Sequence, residues 1–197
     1  MLSPTQATRM VSPYSAGTTA CPLLPENVEQ PTTADDESTS IATLFPKEAV
    51  AVPLEARTRS KVINAMVDLA ARSGRLWDPK KMAEAVRARE EMQPTALDNG
   101  IALLHPRRPL PGILSQAVIA LGCTPSGIPF GGGGGILTDV FFLIASADDR
   151  SHLRSLARIS RIVSDPQVLQ LLREARDAES AHAVIMTKDA DIEHLRN

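Results

Sequence analysis

Apolar and polar positions alternate along the chain with more than one period. Val62, Ile63, Met66, Val67 and Leu69 recur at three- and four-residue spacing, which predicts one buried helical face. Thr58 or Ser60 is placed to cap that helix, and Gly74 to stop it. Asp78-Pro79 is a second start signal, an N-cap followed by proline at the first helical position. The helix it opens runs through Met82 and Val86 toward Met92, with Arg87, Arg89, Glu90 and Glu91 near its end and Pro94 beyond. Four runs read as strands instead: residues 50–54, 101–104, 117–122 and 139–146. Pro53 suits a strand edge or end. The continuous apolar runs suit strands covered on both faces by helices. Asp148 or Asp149 then caps a helix with Leu153, Leu156, Ile159 and Val163 on one side. Asp165-Pro166 opens another with Val168, Leu169, Leu171 and Leu172 inside, and a last short helix is predicted at residues 178–185. Strands interleaved with helices predict an α/β fold, with a mixed, mostly parallel β-sheet of about five strands flanked by helices.

Residues 1–40 break this pattern. They are rich in Pro, Ser and Thr, end in Asp35, Asp36 and Glu37, and carry no sustained period. A segment of this kind buries too little apolar surface to offset its ordering entropy, so it is expected to be a flexible N-terminal extension. The folded domain is expected over residues 41–187, with a polar tail at 188–197. Apolar residues form 43% of the chain but aromatics only 3%, so the core must be aliphatic. A net charge of −2 argues against nucleic-acid binding by the chain itself. Two cysteines, Cys21 and Cys123, supply no disulfide framework or metal-site spacing and suit a reducing compartment. No apolar run reaches the roughly 20 residues of a membrane span, and the N-terminus lacks the basic start and apolar core of a secretory signal. A cytoplasmic protein is expected.

Chemistry concentrates at the end of the second apolar run. Pro106 cannot donate a ladder hydrogen bond, so that strand should stop at His105 and present the ring from a rigid scaffold. Arg107 and Arg108 follow at once; they oppose ring protonation and can hold an anion such as phosphate. His152 falls in the first turn of a helix just after a strand end, where free backbone N–H groups and the helix dipole favour an anion. Two histidines at the mouths of two strands can share one phosphoryl group. Arg89 lies sixteen positions before His105, where it also complements its helix C-terminus; Glu90 and Glu91 beside it read as surface ion pairs of little worth. His182 and His194 take no role. The run Gly131-Gly132-Gly133-Gly134-Gly135 is not a phosphate loop: no Gly-Lys-Ser/Thr follows, and the next element is a strand rather than a helix. It reads as a flexible loop between two strands.

These residues also form an ordered pattern. Arg89-Glu90, then Thr95, then Asn99-Gly100-Ile101-Ala102-Leu103-Leu104-His105, and at a distance His152-Leu153-Arg154-Ser155-Leu156-Ala157, resemble the type-2 (fructose/mannitol) enzyme IIA domain of the bacterial phosphoenolpyruvate-dependent phosphotransferase system, its nitrogen-regulatory branch included. The resemblance covers residues 41–185. It implies the IIA fold and a phosphoryl group carried on His105, flanked by His152 and Arg89. Thr95 and Asn99 would shape the site, and Arg107 stands where many members carry a basic residue. It further implies no metal or organic cofactor, and the histidine phosphocarrier protein as phosphoryl donor. The phosphoryl group would pass to a sugar-specific IIB domain, or its presence would control a regulated target. Absence of recognisable IIB and IIC segments favours regulation over dedicated sugar transport. Two departures leave an alternative open, that of an inactive interaction module. Leu104 replaces the usual proline before the histidine, and Asp98 stands where glycine is common, adding a negative charge near a site meant for phosphate.

Overall fold

Strand-forming residues with apolar side chains on both faces must be covered twice, and the sheet is built that way. The computed structural model describes residues 41–194; the expected N-terminal extension lies outside them. Among the described residues the strands are β1 (Val50–Ala51), β2 (Ile101–Leu104), β3 (Val118–Ile128) and β4 (Thr138–Ala145). They join in the order β1-β3-β4-β2, four strands where the pattern predicts about five. β1 runs parallel to β3 and β2 parallel to β4, while β3 and β4 are antiparallel, so the sheet is mixed and mostly parallel.

Alternate residues face opposite layers, as the period of two requires. Ala102, Leu104, Ala120, Phe141 and Leu143 pack beneath two helices, α2 (Arg59–Arg72) and α3 (Pro79–Met92), which follow the short α1 (Ile41–Leu44). Ile101, Leu103, Ile119, Leu121, Phe142 and Ile144 face the other layer, made by α4 (Asp149–Val163), α5 (Pro166–Glu174) and α6 (Ala178–His194). Four of the long helices begin where a short polar side chain predicts it. Thr58 accepts a hydrogen bond from the Lys61 N–H, Asp78 from Lys81, Asp148 from Ser151 and Asp165 from Gln167. Each such cap is worth about 1 kcal/mol against alanine.

Helix α6 extends well past the expected end at residue 185, into the segment expected to be a polar tail. That extension buries Ile192 and one carboxylate. Asp189 is 2% exposed and accepts from Arg158 Nε and, through Oδ2, from the Ile41 N–H at 3.2 Å. A polar residue with partners on α4 and α1 holds the last turns in place. His182, to which the sequence assigns no role, stacks on Phe45 at 4.9 Å and hydrogen-bonds the Phe45 carbonyl through Nε2. Among the described residues no helix is long and apolar enough to cross a membrane.

Candidate functional site

β2 stops at Leu104, and Pro106 follows His105, so the ring sits where the ladder ends. Leu104 is fully buried, in register with Leu143. Alternation along the strand turns its N–H toward β4, so it keeps a donor that proline would remove. β4 ends alongside, and the chain turns through Asp148 into α4. Because β2 and β4 are parallel, both chains leave the sheet at the same edge. His105 and His152 therefore meet there, ring centroids 5.4 Å apart and planes inclined by 50°.

The two rings have different partners. His105 Nδ1 lies 2.7 Å from the Leu103 carbonyl oxygen. A carbonyl only accepts, so Nδ1 carries the proton and Nε2 keeps its lone pair. Burial holds the His105 pKa below the ordinary value of 6.5; the hydrogen bond to Leu103 opposes this, and the Arg89 charge reinforces it. The cation acting on His105 is thus Arg89 rather than the adjacent Arg107 and Arg108, contrary to expectation. His152 is 6% exposed, and its Nδ1 is buried without a hydrogen-bond partner. Burial and then the neighbouring His105 lower its pKa too, with Asp149 opposing. Near neutral pH the pair is uncharged, beside the N-terminus of a fifteen-residue helix.

Arg89 is half-buried in the last turn of α3, where Nη1 donates to the Gln93 carbonyl at 2.7 Å. Glu90 corrects the expectation of a surface pair. It is 2% exposed, and its carboxylate accepts from Arg59 Nη2 at 2.8 Å and from the Thr95 N–H and hydroxyl. Arg59 in turn lies over the Phe130 ring at 5.2 Å. The signal was in the spacing: Met82, Val86 and Glu90 share one face, and all three are buried. Thr95 is buried, and its carbonyl accepts from the N–H of Leu103, the residue whose own carbonyl holds His105, at 3.3 Å.

The other expected residues lie elsewhere. Asn99 is exposed beyond the opposite end of β2, so the length of that strand, about 13 Å, separates it from His105. Its carbonyl accepts from Arg173 Nη2 at 2.8 Å, and Arg173 also pairs with Asp139. Asp98 is at that end as well. A side chain at Gly133 would come within 2.5 Å of the Asp98 carboxylate, so its charge lies against the glycine loop and not among the histidines. Arg107 is exposed in the bend after β2 and forms no hydrogen bond or ion pair with the described residues. The glycine loop leads into β4, as its chemistry predicts; Gly131, with φ of +90°, lies so close to Pro94 that no side chain fits between them. Among the described residues no cluster of three His, Cys, Asp or Glu side chains could hold a metal.

The chain has relatives in sequence and in fold. The chain is 28% identical over 149 residues to the nitrogen regulatory protein of Bradyrhizobium diazoefficiens, covering 74% of this chain and 94% of that one. It is 26% identical over 151 residues to the fructose-specific EIIABC component of Bacillus subtilis, covering 76% of this chain but only 23% of that much longer protein. Its fold matches enzyme IIA of the mannitol system of Escherichia coli, solved in complex with phosphorylated enzyme IIB. The TM-score is 0.63 at 18% identity, over 72% of this chain and 98% of that one. Residues 43–188 match the family model described as phosphoenolpyruvate-dependent sugar phosphotransferase system, EIIA 2, and the chain belongs to that family.

Proposed function

We propose that His105 accepts a phosphoryl group on Nε2 from the phosphohistidine of a histidine phosphocarrier protein, and hands it on or displays it as a signal. The observation that carries this reading is the 2.7 Å contact between His105 Nδ1 and the Leu103 carbonyl. It leaves one ring nitrogen, neutral and lone-pair-bearing, at the open edge of the sheet. In the transfer, the Nε2 lone pair attacks phosphorus in line. The phosphorus–nitrogen bond of the donor breaks, its electron pair returns to the donor imidazole, and the Nδ1 proton stays hydrogen-bonded to the Leu103 carbonyl. Little covalent work is left to the protein beyond positioning and charge stabilisation. Arg89 supplies positive charge, and the α4 N-terminus and the neutral His152 ring supply dipoles for the phosphoryl oxygens. Thr95 acts through the backbone under His105; Arg107, two positions beyond that histidine, and Asn99, at the far end of β2, support the site.

Two onward routes fit the family. The structural relative forms a complex with an enzyme IIB, which makes a IIB domain a natural acceptor. Matching 94% of a nitrogen regulatory protein favours a regulatory role, with the phosphorylation state read by a target protein. Incubation with phosphoenolpyruvate, enzyme I and the phosphocarrier should add one phosphoryl mass to the intact chain. His105→Ala should abolish it, and His152→Ala should slow it. No uptake by the intact chain would overturn the assignment and leave an inactive interaction module.

A further inference from the structure

We infer that Glu90 is a positioning residue for His105, acting by keeping one backbone donor away from the carbonyl that fixes the ring. This deepens the reading of His105 as phosphoryl acceptor and rests on it. A short antiparallel segment runs along the edge of β2, with Ala96 opposite Ala102. Leu97 N–H donates to the Ile101 carbonyl at 2.7 Å, and Leu103 N–H to the Thr95 carbonyl at 3.3 Å. In an antiparallel ladder, residues paired in this way exchange two hydrogen bonds. Having given its N–H to Thr95, Leu103 should receive the Thr95 N–H on its own carbonyl.

That second bond is missing. The Thr95 N–H points instead to the Glu90 carboxylate, 3.2 Å from Oε1 and 3.3 Å from Oε2, and the Thr95 hydroxyl binds the same group. The Leu103 carbonyl is thereby released from the ladder, and His105 Nδ1 takes it at 2.7 Å. Arg59 Nη2 lies 2.8 Å from the same carboxylate and keeps it aimed although it is buried. One buried carboxylate diverts one backbone donor, and the vacated carbonyl selects the tautomer of the ring.

The tautomer is readable without any phosphoryl transfer. Ring-nitrogen NMR shifts of the wild-type chain above neutral pH should show His105 as the Nδ1–H form. In Glu90→Ala the freed Thr95 N–H competes for the Leu103 carbonyl, and the tautomer ratio should move about fivefold toward Nε2–H, the value of one ordinary hydrogen bond. Glu90→Gln keeps an amide oxygen for the Thr95 N–H and should restore the wild-type ratio. A merely structural Glu90 would shift neither variant's tautomer, or both alike, and either result overturns the inference. A second measurement needs no variant: through-hydrogen-bond coupling from the Thr95 amide should reach the Glu90 side-chain carboxyl. Coupling to the Leu103 carbonyl would refute the inference. If the intact chain takes up no phosphoryl group yet the tautomer follows Glu90, the function assigned to His105 fails while the positioning role stands.

Discussion

Gly100→Ala should be costly, and by a route that a double-mutant cycle can isolate. Gly100 has φ of +85°, and a Cβ there would lie 2.6 Å from Arg173 Nη2, 3.2 Å from Asp139 Oδ1 and 3.3 Å from the Leu137 carbonyl. The left-handed backbone alone costs a non-glycine residue about 1–2 kcal/mol. Arg173 is the contact that must give way. In moving, it loses the 2.8 Å hydrogen bond to the Asn99 carbonyl, worth about 1 kcal/mol. It also loses its two-point grip on Asp139, which at 40% side-chain exposure of the arginine adds about 0.2–1 kcal/mol. The single substitution should therefore cost about 2–4 kcal/mol, and Arg173→Ala about 1–2 kcal/mol. With Arg173 already truncated, the methyl group added at position 100 displaces nothing further on that side. The double variant should consequently be little worse than Gly100→Ala alone. Urea denaturation of the four proteins measures this, and in a melt each kcal/mol should lower Tm by about 2–4 °C. Should the two single costs add within about 0.5 kcal/mol, the arginine and the glycine are independent, and displacement of Arg173 is not part of what the substitution costs.

Two further outcomes follow from titrating groups. Folding lowers the pKa of both His105 and His152, so between their folded and unfolded pKa values the unfolded chain binds more protons. Their contribution to stability is full above about pH 6.5 and is lost as pH falls through the lowered values. Urea midpoints between about pH 7 and about pH 5 should drop more steeply for wild type than for His105→Ala/His152→Ala, and equal slopes would contradict the assignment. Burial, with Asp139 nearby, pushes the Cys123 thiol up to about 12. In native buffer its peptide should resist iodoacetamide, with labelling appearing only in denaturant; prompt native labelling would show the thiol accessible and ionised.

The legible parts of this chain are those set by local chemistry. Thr58, Asp78, Asp148 and Asp165 each cap the helix they announce, because an N-cap needs only the next three residues. Pro106 ends β2 for an equally local reason. The pairing of His105 with His152 was legible once both were placed at strand ends, since parallel strands open at a common edge. Long-range partners were not. Arg59 meets Glu90 across thirty-one positions, and Asp189 meets Ile41 across one hundred and forty-eight. Both carboxylates lie in stretches that read as solvated. A charge near a helix end is ordinarily solvated, and only its buried partner shows otherwise. The edge segment opposite β2 has no signal in the sequence because one bridge leaves no apolar period.

The two departures from the family pattern acquire a common meaning in this geometry. β2 has only four residues and is held at both ends: Arg173 ties the Asn99 carbonyl to Asp139 at one, and Glu90 with Thr95 shapes the Leu103 edge at the other. Asp98 belongs to the first end, against the glycine loop and away from the histidines. Leu104 belongs to the second. It faces β4 while Leu103 faces the edge segment, so replacing the usual proline strengthens the pairing with β4 and leaves the carbonyl beneath His105 untouched. On the positioning role inferred for Glu90, the histidine depends on the edge partner of Leu103 more than on the residue immediately before it. A proline restored at position 104 would cost a buried ladder donor and leave the Nδ1 contact in place.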